Sequence, residues 1–226
     1  MGSSVRLTSR FDGFGLDAWH EPAMDARRGG LVLIQEIFGV TEHIRDLARK
    51  YAEAGYETLA PSFYDRLERG FEAEYGGEDV PKGLRFSTET PWDQVAGDLH
   101  AAVDYLTGPV FAVGFCWGGT AAWLAACRCS GVTAASSYYG RRIPELVEET
   151  PRCPVILHFG ETDASIPMAQ VEAIGARHPE IPIHVYAAGH GFASDRRSDY
   201  REDAARLAHL RTLSLFSRHG GGRSEI

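Results

Sequence analysis

The segment Val110-Phe111-Ala112-Val113-Gly114-Phe115-Cys116-Trp117-Gly118-Gly119-Thr120 sets a cysteine at the apex of a Gly-x-Cys-x-Gly turn. An apolar run with the pattern of a buried strand enters the turn, and an alanine-rich helical segment leaves it. Small residues two before and two after the cysteine let a strand reverse tightly into a helix. This is a nucleophile elbow with sulfur in place of the usual serine oxygen. The Cys116 side chain then projects from the top of a sheet. The Trp117 backbone N–H stands at a helix N-terminus, where negative charge is stabilised. The same setting biases a thiol toward thiolate. The plain alternative is a buried cysteine in a glycine-rich packing turn, because so short a motif also arises by chance.

A cysteine nucleophile needs a base, and the base needs a group to orient it. In an elbow of this kind the acid and then the histidine follow the nucleophile, each after a later strand. His158-Phe159-Gly160-Glu161-Thr162-Asp163 leaves a strand through a glycine and presents Asp163 in the loop beyond it. Ala187-Ala188-Gly189-His190-Gly191-Phe192 sets His190 in a glycine-flanked loop after the last strand. Asp163 would then hold His190 in one tautomer, and His190 would take the thiol proton. Read separately, Asp163 could cap the helix beginning at Pro167, and His190 could be an ordinary loop histidine. Their order and their places just past strands favour the catalytic reading. His158 and His184 fall inside strand patterns and read as core or pocket wall. The other histidines lie in helical, terminal or exposed segments.

Acyl transfer also requires donors for a developing oxyanion. One is the Trp117 N–H. The other is expected from the loop after Leu31–Ile34, which makes Ile37 N–H the candidate. Glu36 stands in that loop, and a carboxylate beside a thiolate is repulsive. It is therefore held away or shares a proton with Cys116. The alternative is a solvated loop glutamate, or a partner for an arginine such as Arg45.

The surrounding pattern supplies the elements that position these residues. Val5–Arg10 and Leu16–His20 flank Asp12-Gly13-Phe14-Gly15 and read as a β-hairpin. Leu31–Ile34 is a short strand buried on both faces, as in a parallel sheet. Glu42–Ala54 has helical spacing, with Ile44, Leu47, Ala48 and Tyr51 on one face, and Tyr56–Ala60 is the next strand. Residues 61–90 show no clear period and read as a cap or substrate loop. Pro91–Leu106 is a helix, Val110–Val113 the elbow strand and Thr120–Ala126 part of the elbow helix. Val132–Tyr139, Val155–Phe159 and Ile183–Tyr186 are strands. Pro167–Arg177 and Ser198–Ser217 are helices, and the tail from about residue 219 reads as mobile. Alternation of strands and helices predicts an α/β fold: a mostly parallel sheet with helices on both faces, in one domain over residues 1–226.

Composition narrows the function. Among 226 residues, 44% are hydrophobic and 24% charged, an ordinary balance for a globular domain with a developed core. A net charge of −8 leaves no basic excess for nucleic acid. The four cysteines, Cys116, Cys127, Cys129 and Cys153, are too few and scattered for a disulfide framework. Cys127-Arg128-Cys129 lacks a second ligand pair, so no metal is expected. No apolar run is long enough to span a bilayer, and no signal-peptide pattern is present. The expectation is a cytoplasmic monomer acting on a small molecule, with no cofactor, no nucleic acid and no membrane.

The blocks Gln35-Glu36-Ile37-Phe38-Gly39, Gly114-Phe115-Cys116-Trp117-Gly118-Gly119, Tyr138-Tyr139-Gly140, Gly160–Asp163 and Gly189-His190-Gly191-Phe192 resemble, in order, those of the dienelactone hydrolase (carboxymethylenebutenolidase) family. The resemblance covers residues 14–217. It implies an α/β-hydrolase fold and hydrolysis of an enol-lactone or activated ester through an acyl-cysteine. It also implies that Glu36 pairs with the thiol at rest and swings on substrate binding to help make the thiolate. Family members acting on dienelactones hold the substrate carboxylate with arginines, one of them just after the histidine and a Phe-Ala pair. Here that place is Ser194, with Arg196 and Arg197 beyond it. The second arginine would come from residues 61–90, where Arg85 is the first candidate and Lys82 or Arg66 are alternatives. Phe38, Trp92, Trp117 and Tyr138 could line an aromatic pocket. Two other readings stand beside the lactonase: a promiscuous carboxylesterase or thioesterase of neutral substrates, and a non-catalytic ligand-binding protein on the same fold.

Overall fold

An apolar stretch such as Leu31-Val32-Leu33-Ile34 is stable only as a strand paired on both edges and covered on both faces. That is how the computed structural model, which describes residues 2–222, arranges it. Strands β3 (Gly29–Ile34) and β5 (Val110–Phe115) are buried at every position. They run parallel, with Leu31 beside Phe111 and Leu33 beside Val113. β4 (Tyr56–Pro61) flanks β3 on its other edge. β6 (Val132–Tyr138), β7 (Val155–Gly160) and β8 (Ile183–Tyr186) extend the parallel sheet beyond β5. The hairpin of β1 (Ser3–Thr8) and β2 (Gly15–Glu21) joins antiparallel to β4. The resulting order is β1-β2-β4-β3-β5-β6-β7-β8.

Parallel neighbours need crossovers, and helices supply them. α1 (Glu42–Glu53) and α6 (Glu202–Phe216) share one face, where the Tyr51 and His209 rings meet at 5.1 Å. α3 (Trp92–Tyr105) packs against α4 (Trp117–Arg128) on the other. α4 is buried from Trp117 through Cys127, which accounts for its run of alanines and glycines. α5 (Met168–Arg177) follows β7.

The segment 61–90 departs from its sequence reading. It contains a helix, α2 (Val80–Glu89), with proline in its first turn and Gly83, Phe86 and Ser87 buried. Glycine, proline, serine and threonine mask the helix at the level of propensity. Packing overrides this, because α2 lies so close to the loop after β3 that a Cβ on Gly83 would strike the Ile37 carbonyl. The preceding stretch is tied to the same loop by Ala73 N–H donating to the Phe38 carbonyl at 2.9 Å. The last helix begins at Glu202, later than expected. The residues before it fold back on the His190 loop, with Arg201 N–H donating to the Phe192 carbonyl at 3.0 Å. Ser217–Gly221 forms a π-type turn in which the Tyr56 hydroxyl donates to the Gly221 carbonyl at 3.3 Å. Residues 223–226, the end of the tail read as mobile, lie outside the described residues. Among the described residues no helix is long and apolar enough to cross a membrane, and no cluster of His, Cys, Asp or Glu could hold a metal ion.

Arg66, in the segment between β4 and α2, joins that segment to the hairpin and to α3. It meets Asp98, fully buried on α3, at 2.7 Å and Asp12 at 2.7 Å. Burial pushes the Asp98 carboxyl up, and Arg66 opposes the shift. Replacing Arg66 by Met strands a buried carboxylate and should cost about 3–5 kcal/mol in urea unfolding, partly recovered in an Arg66→Met/Asp98→Asn double variant. A loss under about 1 kcal/mol would mean a solvated pair of the exposed kind.

Candidate active site

The elbow is made by close approach. A Cβ on Gly114 would strike the Gly118 carbonyl, one on Gly118 the Gln35 carbonyl, and one on Gly119 the Tyr138 carbonyl. Only glycine allows the strand, the helix and the two neighbouring strand ends to converge here. The apex residue absorbs the reversal. Cys116 has φ 56° and ψ −116°, a conformation that costs a non-glycine residue about 1–3 kcal/mol and marks functional turns. Its N–H donates to the Tyr138 carbonyl at 3.0 Å, and its carbonyl accepts from Gly119 N–H at 3.0 Å. The thiol is left half-buried above the carboxyl ends of the strands.

The loops after β7 and β8 bring Asp163 and His190 to it. His190 Nε2 lies 3.2 Å from Cys116 Sγ, and its Nδ1 lies 2.6 Å from Asp163 Oδ2. Ser165, which the sequence reading passed over, donates its N–H and its hydroxyl to Asp163 Oδ1 at 2.8 and 2.7 Å. Burial disfavours the imidazolium, but the bonds to Asp163 and Cys116 outweigh it and push His190 up to about 10. Asp163 is moved in opposite directions by burial, which raises it, and by His190 and Ser165, which together hold it below the usual carboxylate range.

The elbow packs directly on the end of β3, where a Cβ on Gly118 would strike the Ile34 and Gln35 carbonyls, so the loop that carries Ile37 begins beside it. As the first residue of α4, Trp117 has an N–H without an acceptor inside the helix. Glu36 is buried and turned to its own partners. The Tyr75 hydroxyl donates to its Oε2, and Arg197 Nη1 lies 3.9 Å from its Oε1, which has no hydrogen bond among the described residues. Tyr75 is the residue sequence reasoning missed here, and Arg197, noted beyond Ser194, lies nearer the site than Arg196. Tyr75 lies in a segment without period and is held by packing on Phe38, ring to ring at 4.4 Å. Arg197 reaches back over Gly191, next to His190, where a Cβ would collide with its guanidinium.

The other expected pocket residues divide. Trp92 stacks on Trp117 at 5.8 Å and lies under the Arg142 guanidinium at 4.7 Å, so the aromatic wall forms. Tyr138 is not part of it. Its hydroxyl bonds to Thr212 of α6 at 2.8 Å, and Tyr139 instead lies against His190 at 5.1 Å. Successive side chains at a strand end face opposite ways, so a slip of one residue exchanges core for site. Arg85 is exposed and pairs with Glu89 at 3.7 Å, and Arg196 pairs with Asp46 at 3.0 Å. Lys82 is bound to Glu68, and Arg66 to Asp98. None of these four is free to serve the site as placed. Among the described residues the Tyr64 and Tyr139 hydroxyls and Trp117 Nε1 are buried without hydrogen-bond partners. Burial raises both phenols, with the Cys116 sulfur nearby contributing. Buried groups left unpaired around one cysteine are what a polar ligand would satisfy.

The model of the dienelactone hydrolase family matches residues 16–220. A Synechocystis protein named "Putative carboxymethylenebutenolidase" is 33% identical over 218 residues, covering 87% of this chain and 88% of the relative. The carboxymethylenebutenolidase of Pseudomonas putida is 31% identical over 202 residues, covering 83% and 84%. A crystal structure from Klebsiella pneumoniae, described as a "Putative Dienelactone Hydrolase", superposes with a TM-score of 0.83 at 29% identity, covering 96% of this chain and 99% of that one.

Burial acts on three of the four thiols. It pushes Cys127 and Cys129 up to about 12 and Cys153 to about 11. Peptide mapping after brief iodoacetamide treatment at pH 8 should find Cys116 modified first, and earlier labelling of Cys153 would contradict the site geometry. His190 gives a second check. Its folded value of about 10 lies above the ordinary histidine value of 6.5, so its pairing stabilises the fold fully below pH 6.5. That contribution declines above 6.5 and is lost as pH rises through about 10. The stability difference between wild type and His190→Gln should shrink over that window, and a constant difference would show a neutral imidazole.

Proposed function

The chain belongs to the dienelactone hydrolase family and is a hydrolase acting on esters or lactones, and on that premise we propose that Cys116 is its nucleophile. The observation that carries the proposal is one imidazole bridging a buried carboxylate at 2.6 Å and an elbow sulfur at 3.2 Å. Cys116 Sγ attacks the substrate carbonyl while His190 Nε2 holds the thiol proton. The carbonyl oxygen becomes an oxyanion facing the N–H groups of Ile37 and Trp117. Collapse breaks the ester C–O bond, and His190 gives its proton to the leaving enolate or alkoxide oxygen. An acyl-cysteine remains. His190 then takes a proton from water, the hydroxide attacks the thioester carbon, and the second collapse returns the sulfur and the acid product.

Substrate preference is the finer part of the proposal. Arg197 takes the place of the arginine missing at Ser194, because its only ion-pair partner among the described residues is Glu36 at 3.9 Å. A substrate carboxylate would meet it there, beside Glu36 and Gly191. Drawing Arg197 away loosens Glu36, which Tyr75 still holds, and the resemblance assigns Glu36 the further part of helping to form the thiolate. One observation favours a broader esterase of neutral substrates: Ser194, Arg85 and Arg196 offer no second guanidinium to the site.

Steady-state kinetics on matched esters, one bearing a carboxylate and one neutral, decides between them. Cys116→Ala should abolish turnover of both; full activity would remove the nucleophile assignment. Arg197→Met should lower kcat/KM for the carboxylate ester about 10–100-fold and leave the neutral ester nearly unchanged. Equal effects on the two would favour the neutral-ester reading. Binding of both esters by wild type without turnover would indicate the non-catalytic alternative.

A further inference from the structure

A half-open groove of about 660 Å³ lies at the opposite end of the sheet from Cys116, where β7 and β8 begin and α6 ends. Its size is that of a small-molecule site. Pro154, Ile156, Ile181 and Leu215 give it an apolar wall. Arg211, Arg218, His184 and His219 also line it, against a single acid, Glu180, whose carboxylate is engaged by His178 at 3.2 Å. In a chain of net charge −8 this is a local basic concentration.

The two arginines are spare. Arg211 Nη1 donates to the Tyr186 hydroxyl at 3.0 Å, and its guanidinium lies over that ring at 5.4 Å. Arg218 Nε donates to the Ser214 carbonyl at 3.2 Å. Among the described residues neither meets a carboxylate. A guanidinium has five N–H donors, so each retains donors for an anion. Arg211 lies in α6 and Arg218 in the π-type turn that follows it, and both line the groove.

We propose that this groove is a second ligand site, distinct from the Cys116 site, which takes an apolar carboxylate: the head on Arg211 and Arg218, the hydrocarbon body on Ile156, Ile181 and Leu215. The assignment does not rest on the hydrolase chemistry. It requires only an anion that brings apolar surface, since neither feature of the groove alone would select it. A free acid taken from solution and an acid released by the chain's own hydrolysis share this chemistry, and blocking Cys116 separates the two sources.

The test is calorimetric titration of 2-naphthoate into the full chain after Cys116 has been alkylated with iodoacetamide. Saturable binding is expected. Arg218→Gln, an exposed substitution whose melting temperature checks the fold, should weaken it about tenfold, and Arg211→Gln by as much or more. Arg197→Met should leave it unchanged, and 2-naphthamide should bind at least about tenfold more weakly. Absence of saturable binding, equal binding of the amide, retention in both groove variants, or loss in Arg197→Met would each overturn the proposal.

Discussion

The reversal of chain direction at Cys116 is the constraint on which the remaining structure depends. A strand that ends in the middle of a sheet and turns at once into a buried helix must bring backbone against backbone. The glycines at 114, 118 and 119 make that approach possible. The conformational strain falls on Cys116, whose side chain is needed, and on Tyr139 beside His190. Strain of this size persists only when packing over-determines it. Here the packing is the end of β3, the end of β6 and the all-buried α4. The contacts that hold the turn also bring the start of α4 against the end of β3.

Charge around the elbow is arranged in two separate sets. Asp163, fixed by Ser165, faces His190 and holds it protonated well above the ordinary histidine range. Glu36 belongs to the other set, with Tyr75 and Arg197, although its place in the chain adjoins Ile37. Two carboxylates close to one thiol would oppose its ionisation. Turning one of them onto a phenol removes that conflict in the resting arrangement.

Much of this was legible in the sequence, for identifiable reasons. The apolar runs at residues 31–34 and 110–113 can be satisfied only inside a parallel sheet. The elbow follows from local sterics, and Asp163 and His190 follow from their places just beyond strands. Residues whose positions are set by distant packing were not legible. α2 is hidden by its proline and glycine and forms against the loop after β3. Tyr75 depends on Phe38, and Arg197 on a loop that folds back over Gly191. Tyr138 and Tyr139 differ by one residue, and no periodic signal tells which of two adjacent tyrosines at a strand end faces the thiol. Sequence neighbourhood points to Arg85 and Arg196 for a substrate carboxylate, whereas both lie in exposed positions beside Glu89 and Asp46.

A covalent bond to one sulfur is the central step of the proposed hydrolysis. Rapid mixing with an activated ester, acid quench on the millisecond scale and peptide mass spectrometry measure it directly. The predicted result is a transient acyl group on the peptide containing Cys116, longer-lived in Asp163→Asn, where His190 loses the partner that orients it for deacylation. Turnover of the ester with no acyl group on Cys116 at any quench time, or an adduct only on Cys127, Cys129 or Cys153, would contradict it.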